Sequence, residues 1–341
     1  SGAGNYSLDE NATISASPLP GYSFASWSGT GVVSPLSEET NIIMDEDRNI
    51  SAVFSQNFYN LLLASGSGGS ISGSGSYQHG ANAIISASPS EGYLFNGWKG
   101  NGVSSPSSLI TTVSMTETRN ISALFTKKFF ALTVNPTAGG AVTGAGSYAF
   151  GSSSSITASP FDGYSFSSWI GNGVTNSLSS TSTVTMNQDR NISALFSINS
   201  YDLVINAGTG GSVSGEGSGS FTFGSTPSIT ASPLEGYSFT SWTGTGINNS
   251  LSPSTFVTMN QDQNVSALFA INYFDLVINS GTGGSATGAG SYTFGSTPSI
   301  TASPLEGYSF TSWTGTGINN SHSPSTFVTM NQDQNVSALF A

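Results

Sequence analysis

The chain has 341 residues, a net charge of −12 and no Cys, and charged residues make up only 7% of it. A nucleic-acid-binding role is not expected, because binding to phosphates relies on cationic groups and only six Lys and Arg residues occur here. No apolar run approaches the roughly 20 residues that span a bilayer, so membrane insertion is not expected either. With 42 Gly residues, the composition is unfavourable for helices.

A repeat of about 71 residues organises the whole chain. The five Trp residues are separated by 71, 71, 73 and 71 positions, and each lies in the phrase Gly-Tyr-x-Phe-x-x-Trp-x-Gly. A second phrase, Met-x-x-x-x-Asn-(Ile/Val)-Ser-Ala-x-Phe, follows each of them. Self-similarity at a fixed period is typical of tandem arrays. The predicted modules are module 1, residues 1–56; module 2, 57–127; module 3, 128–198; module 4, 199–271; and module 5, 272–341.

Module 1 lacks the segment that opens the other modules, such as residues 201–214 of module 4. The chain begins inside the repeating pattern, so we expect it to be a piece of a longer protein. The connections between modules, such as residues 270–272, are short and contain neither Gly nor Pro. Connections of this kind predict a restricted orientation between neighbouring modules.

The pattern within module 4 predicts about six short β-strands and no helix, because apolar alternation with period two is interrupted by Gly, Pro and Asn. Alternation places Tyr237 and Phe239 on one face of their strand and Trp242 on the other. The last two strands are interpreted as a hairpin across residues 260–264. The predicted strands are residues 201–205, 213–223, 228–231, 237–242, 256–259 and 265–269. The predicted fold is an all-β tandem array of five small antiparallel β modules, forming an extended rod.

The two recurring phrases resemble those of the divergent internalin B-repeat family of bacterial surface proteins. The resemblance covers nearly the whole chain and implies a small β-rich module, sometimes described as β-grasp-like, arrayed in adhesins and other exported proteins. It implies no catalytic residues. One departure is Thr118 in module 2, which stands where the other modules carry Asp. Those acidic residues are Asp47, Asp189, Asp262 and Asp333.

No recurring set of reactive residues points to an enzyme. The two histidines, His79 and His322, lie at unrelated places in the repeat, and His322 replaces Leu251 within an otherwise identical stretch of 47 residues. A general base would not be dispensable between two such copies. Without Cys, a Ser paired with a recurring His, or a recurring pair of carboxylates, we predict no catalytic, cofactor-binding or metal-binding residues.

Three features have an alternative interpretation. The acidic run Asp45-Glu46-Asp47 offers oxygen ligands for Ca²⁺, although turn formation by Asp and Asn side chains is the favoured interpretation. The Trp rings could stack on sugars, but modules this small need their large side chains in the core. The Asn-x-Ser sequons are interpreted as strand residues that take part in β-pairing. The sequon residues are Asn49, Asn120, Asn191, Asn264 and Asn335.

The leading hypothesis is a non-enzymatic stalk or spacer region of a bacterial cell-surface or secreted adhesin, located outside the cell. One alternative is a multivalent array that binds glycans or another cell surface, with weak sites strengthened by repetition. A second alternative is a self-assembling extracellular filament, joined through the unpaired terminal strand that the incomplete module implies.

Overall fold

A computed structural model describes residues 1–341, and all of its regular elements are β-strands, 32 in total. The predicted all-β array of five repeated modules is confirmed. Module 1 contributes four strands, because it has no counterpart of the opening strands found elsewhere, and each of the other modules contributes seven. The chain has no helix that could cross a membrane.

The first three modules comprise strands β1 to β18 in chain order. Those of module 1 are β1 (Glu10–Ser15), β2 (Tyr22–Ser28), β3 (Glu39–Met44) and β4 (Ser51–Gln56). Those of module 2 are β5 (Phe58–Ser65), β6 (Gly69–Ser72), β7 (Gly75–Gln78), β8 (Asn82–Pro89), β9 (Tyr93–Lys99), β10 (Ile110–Ser114) and β11 (Arg119–Lys127). Those of module 3 are β12 (Phe129–Pro136), β13 (Gly140–Thr143), β14 (Gly146–Ala149), β15 (Ser152–Pro160), β16 (Tyr164–Ile170), β17 (Thr181–Met186) and β18 (Arg190–Ile198).

The last two modules repeat the same order of strands. Those of module 4 are β19 (Ser200–Ala207), β20 (Gly211–Gly215), β21 (Gly219–Thr222), β22 (Ser228–Pro233), β23 (Tyr237–Thr243), β24 (Ser254–Phe256) and β25 (Gln263–Ile271). Those of module 5 are β26 (Tyr273–Ser280), β27 (Gly284–Thr287), β28 (Gly290–Thr293), β29 (Ser299–Pro304), β30 (Phe310–Thr314), β31 (Ser325–Phe327) and β32 (Gln334–Phe340).

The chain divides into two compact units, with modules 1 and 2 wholly in unit 1 and modules 4 and 5 wholly in unit 2. Unit 1 comprises Ser1–Asn135, Val142–Thr157 and Trp169–Ser193, and unit 2 comprises Pro136–Ala141, Ala158–Ser168 and Ala194–Ala341. Within unit 1, β12 of module 3 pairs with β14, and β15 pairs with β17.

Each complete module is built from two sheets that enclose one core. In module 4, a four-stranded sheet has the order β21-β19-β25-β23 and a three-stranded sheet has the order β20-β22-β24. The opening strand β19 runs parallel to the closing strand β25, while the other pairs are antiparallel. The four-stranded sheet is therefore mixed and the three-stranded sheet is antiparallel, whereas the sequence predicts purely antiparallel modules. The module also lacks the helix that a β-grasp domain packs against its sheet.

Alternating burial along the strands creates the core of the module. Every second residue of β25 is buried from Gln263 to Ala267, as the two-residue period of a strand requires. Leu203 from the opening strand meets Ile229 from the other sheet in the same apolar cluster. Each module thus buries a small but continuous set of side chains between its two sheets.

The predicted hairpin formed by residues 256–259 and 265–269 is wrong. β24 pairs with β22 in the three-stranded sheet, whereas β25 pairs with β19 and β23 in the four-stranded sheet. Residues 257–262 therefore carry the chain from one sheet to the other. The predicted strand over residues 213–223 is divided in the same way between β20 and β21, which raises the strand count from six to seven.

The predicted separation of Phe239 and Trp242 onto opposite faces is also wrong. A β-bulge shifts the register between Phe239 and Ser241, so Trp242 turns to the same side as Phe239. Their rings lie 5.9 Å apart in the core cluster of the module. The extra residue brings the two aromatic side chains of the phrase together in the core.

Candidate functional site: the junctions between modules

Consecutive modules meet at four junctions built from the same backbone contacts, two junctions in unit 1 and two in unit 2. At the junction of modules 4 and 5, only Asn272 separates β25 from β26. Its N–H donates to the carbonyl of Gly236 at 2.8 Å, and its own carbonyl accepts from the N–H of Phe294 at 2.9 Å. One linker residue thus joins the Gly-Tyr phrase of one module to a later turn of the next. The equivalent linker residues are Asn57, Lys128 and Asn199.

An aromatic side chain of the following module packs against a glycine of the preceding one. Gly236 has φ +80°, a conformation that L-residues adopt only with strain, and a Cβ atom there would overlap the ring of Phe294. The glycine is therefore required both by its backbone and by the ring above it. The same relation joins Gly92 to Phe150 and Gly163 to Phe223, and at the first junction it joins Gly21 to the ring of His79.

Further contacts on either side hold the linker and the ring in place. The hydroxyl of Ser238 donates to the side-chain oxygen of Asn272 at 2.6 Å. The ring of Phe294 in turn contacts Phe274 of its own opening strand, with 6.4 Å between ring centroids. The first and third junctions share the Ser–Asn bond, whereas the second junction has Leu94 and Lys128 at these two positions.

These junction residues were missed by sequence reasoning, although the repeat contained an indication of them. An aromatic ring or His occupies the same repeat position in modules 2 to 5, while module 1 has Leu8 there, which is 76% exposed. His79 is half-buried at a junction and is not in an ordinary exposed loop. His322 is exposed, as is its counterpart Leu251.

The Trp residues are core residues in the four complete modules. Their exposed fractions are 2–5%, and each indole N–H donates to a backbone carbonyl ten residues later. A stacking surface for sugars on these four rings is therefore contradicted. Binding of glycans or of another cell surface through other groups stays a prediction. The buried residues are Trp98, Trp169, Trp242 and Trp313.

The recurring Asp residue ties the closing segment to the opening strand. In module 4, the Asp262 carboxylate accepts from the backbone N–H of Asp202 at 2.9 Å. In the same way, the N–H of Ala131 donates to Asp189 and the N–H of Asp275 donates to Asp333. Each of these three carboxylates therefore has a structural partner within its own module.

The acidic run of module 1 is arranged around an internal cation. Arg48 forms ion pairs with Asp45 and with Glu46, the latter at 3.2 Å. Its guanidinium also donates to the hydroxyl of Thr30 at 2.9 Å. No group of three or more His, Asp or Glu side chains comes together in a metal-binding arrangement.

The sequon asparagines of modules 2 to 5 lie on the closing strands, whereas Asn49 precedes β4. In modules 3 to 5 their side-chain oxygens accept from an Asn of the opening strand, as from Asn206 to Asn264 at 2.8 Å. These bonds agree with the interpretation of the sequons as residues of β-pairing.

The fold and the junctions define a tandem array of small β modules, and comparison with known proteins identifies the family. The chain belongs to the divergent InlB B-repeat domain family, which matches residues 1–58, 59–129, 130–200, 201–273 and 274–341. The resemblance inferred from the two phrases is confirmed. These domains are repeats of bacterial surface proteins, and the family is typical of regions without catalytic function.

More distant comparisons add little to this assignment. Among solved structures, the Bacillus anthracis TIE protein is similar with 8% sequence identity and a TM-score of 0.30. The match covers 95% of this chain and 66% of that one, so the chain spans slightly less than two thirds of its length. No curated protein matches the chain.

Proposed function

We propose that this chain is a non-enzymatic spacer region of an extracellular bacterial surface protein, and that its modules set the distance between other parts of that protein. The main support is the repetition of one junction four times, with the same two backbone hydrogen bonds each time. A spacer needs a defined geometry between neighbours, and a one-residue linker bonded on both sides limits their rotation. The four junctions do not bring together any reactive group that recurs from module to module.

The short linkers between modules also support this function, because they have little conformational freedom. Residues of a loose linker remain disordered and allow many separations of the ends, whereas bonded linkers reduce the number of conformations. The recurring Asp residues and the sequon Asn residues of modules 3 to 5 are hydrogen-bonded within their own modules. In this proposal, other parts of the parent protein carry the functional domains or ligand-binding surfaces, and the array holds them at a defined distance.

Deletion or duplication of one whole module tests the proposal. Removing residues 201–273 should shorten the largest dimension of the chain in solution by about 30 Å, the diameter expected for a module of this size. Duplicating the same residues should lengthen it by a similar amount. Small-angle scattering measures both changes, and urea unfolding provides the control that the remaining modules are intact.

A largest dimension that does not follow the number of modules would contradict the proposal. A deletion that leaves the largest dimension unchanged would show that the modules fold back on one another and do not set a distance. A glycan array with the same three proteins separately tests the binding alternative, since signal that scales with module number would favour a multivalent array.

A further inference from the structure

The opening and closing strands of each complete module lie side by side. In module 4, β19 and β25 pair in parallel over five positions, from Leu203 opposite Gln263 to Ala207 opposite Ala267. Module 5 has five equivalent pairs between β26 and β32, and module 2 has five between β5 and β11. In module 3, β12 and β18 are neighbours in the same order of strands. The first and last strands of a module are therefore direct hydrogen-bonding partners.

Tension on the chain reaches a module through these two strands. Asn199 alone separates β18 from β19, and Asn272 alone separates β25 from β26. A pull through both linkers therefore acts on the first residue of β19 and on the last residue of β25. Because the strands are parallel, these residues lie at opposite ends of the pair, and the strands are pulled along each other. The evenly spaced hydrogen bonds between them are then loaded together, whereas bonds in a peeled pair break one after another.

The core of the module opposes sliding of the two strands. Leu203 is 1% exposed and lies in the same apolar cluster as Val265 of β25. Its neighbours Val204 and Asn206 are exposed. Because side chains alternate along a strand, a slip by one residue would turn Leu203 to the surface and Asn206 towards the core. The pair has no adjacent register that keeps the core, so sliding also requires the packing to break.

Side chains add two hydrogen bonds between the opening strand and the closing segment in modules 3 to 5. In module 4, the Asn206 amide donates to the side-chain oxygen of Asn264 at 2.8 Å. The Asp262 carboxylate accepts from a backbone N–H of β19 at 2.9 Å. Modules 3 and 5 have both bonds. Module 2 has Ala64 and Thr118 in place of the donor Asn and the Asp, so neither bond forms there.

We propose that each complete module is a load-bearing clamp, in which the parallel pair of opening and closing strands resists tension applied to the two ends of the module. The resistance depends on direction. It is high when the strands are pulled along each other and low when their neighbouring ends are pulled apart. The two side-chain bonds strengthen the clamp in modules 3 to 5 relative to module 2. This inference goes beyond the spacer function and does not depend on it, because it concerns the strands within single modules.

Resistance to tension does not require a large free energy of unfolding. Under a pulling force, a module unfolds at the rate at which it crosses its barrier, so kinetics set the force that it withstands. Modules of about 71 residues have small cores and modest equilibrium stability. The clamp places the barrier at hydrogen bonds that must break together, and a small module therefore keeps its length under tension.

Single-molecule pulling on the full chain tests the dependence on direction. Because the chain has no Cys, pulling handles can be attached at pairs of introduced Cys residues. The pair Ser200→Cys and Ala270→Cys pulls along the strands, from the first residue of β19 and from near the end of β25. The pair Ala207→Cys and Ala270→Cys moves only the first handle, to the last residue of β19, and so peels the strands apart. All three positions are exposed.

The force that unfolds module 4 should be at least about twofold higher for the first pair of handles at the same loading rate, because several hydrogen bonds share the load. Each opening should release about 200 Å of chain, which identifies the unfolding of a whole module. Urea unfolding of both variants without handles is the control that the Cys residues leave module 4 equally stable. Equal forces, or a higher force for the second pair, would overturn the proposal.

Module 2 tests the contribution of the side-chain bonds by gain of function. Handles at Phe58→Cys and Thr126→Cys correspond to the first pair in module 4. Adding Ala64→Asn together with Thr118→Asp supplies both missing residues, and should slow unfolding at constant force by at least about fivefold. The matched control is Leu62→Val, which places the exposed residue of module 4 on the same strand and should leave the rate unchanged. Equal rates for the double variant and the control would overturn the role of these bonds in the clamp.

Discussion

At the scale of single residues, one position of the repeat exchanges a cation for a neutral amide. Arg48 and Arg119 donate from Nε to the carbonyls of Ile43 and Ser114. Gln334 takes this place in module 5, where it is 2% exposed. Its amide nitrogen donates to the carbonyl of Thr329 at 3.2 Å, and its oxygen accepts from the Thr316 hydroxyl at 2.6 Å. The hydrogen bond to the backbone carbonyl is thus kept without a charge.

Replacing Gln334 by Ala should destabilise module 5 by about 1–3 kcal/mol, because it leaves partly buried polar groups without partners. The matched variant is Gln334→Arg. Arg119 makes the bond to the backbone carbonyl at this position in module 2, so the arginine should restore much of the loss. Urea unfolding measures the free energy of unfolding of both variants. If Ala and Arg cost the same, hydrogen bonding at this position does not explain the residue.

At the scale of elements, the parallel pairing of opening and closing strands decides which residues form the core. Leu203 is 1% exposed on β19, while its neighbour Val204 is 45% exposed on the other face. The alternation within this strand was readable from the sequence. Its partner was not, because strands that pair in parallel are separated by most of the module.

Leu203→Ala should destabilise module 4 by about 2–5 kcal/mol, since it removes buried methyl groups and leaves a cavity. Val204→Ala should change the free energy of unfolding by about 0.5 kcal/mol or less. Hydrogen exchange should locate the effect of Leu203→Ala in β19 and β25. Similar losses for the two variants would contradict the assignment of faces.

At the scale of the whole molecule, the four junctions are the contacts that join each module to the next. The glycine of the Gly-Tyr phrase occurs five times, but only four copies have a following module in the structure. Gly307 has φ +84° and no atom near the position of a Cβ, whereas Gly236 has φ +80° and lies against Phe294. The two glycines lie in the same local sequence, but only Gly236 contacts a following module.

Gly307→Ala should cost about 1 kcal/mol, because the backbone conformation is unfavourable for Ala. Gly236→Ala should cost at least about 1 kcal/mol more, since the ring of Phe294 must move. Calorimetry measures the unfolding of both variants, and NMR relaxation of modules 4 and 5 should show more independent motion only in Gly236→Ala. Equal effects in the two variants would mean that the ring contact does not hold the junction.

Much of this protein was determined by the sequence alone. The number of modules, their period, the all-β class and the family follow from recurring phrases and alternating residues, which are local features of the chain. The core position of the Trp residues followed from the need of a small module to bury its largest side chains.

Only the tertiary structure decided which strands pair, where Trp242 points and what joins the modules. Gly236 and Phe294 lie nearly one module apart in the chain, and β24 and β25 are adjacent in the chain but belong to different sheets. Contacts of this kind depend on how two sheets close around a core, and no local pattern records them. The bulge at Thr240 is a change of one residue in register, which reverses the face predicted from alternation alone.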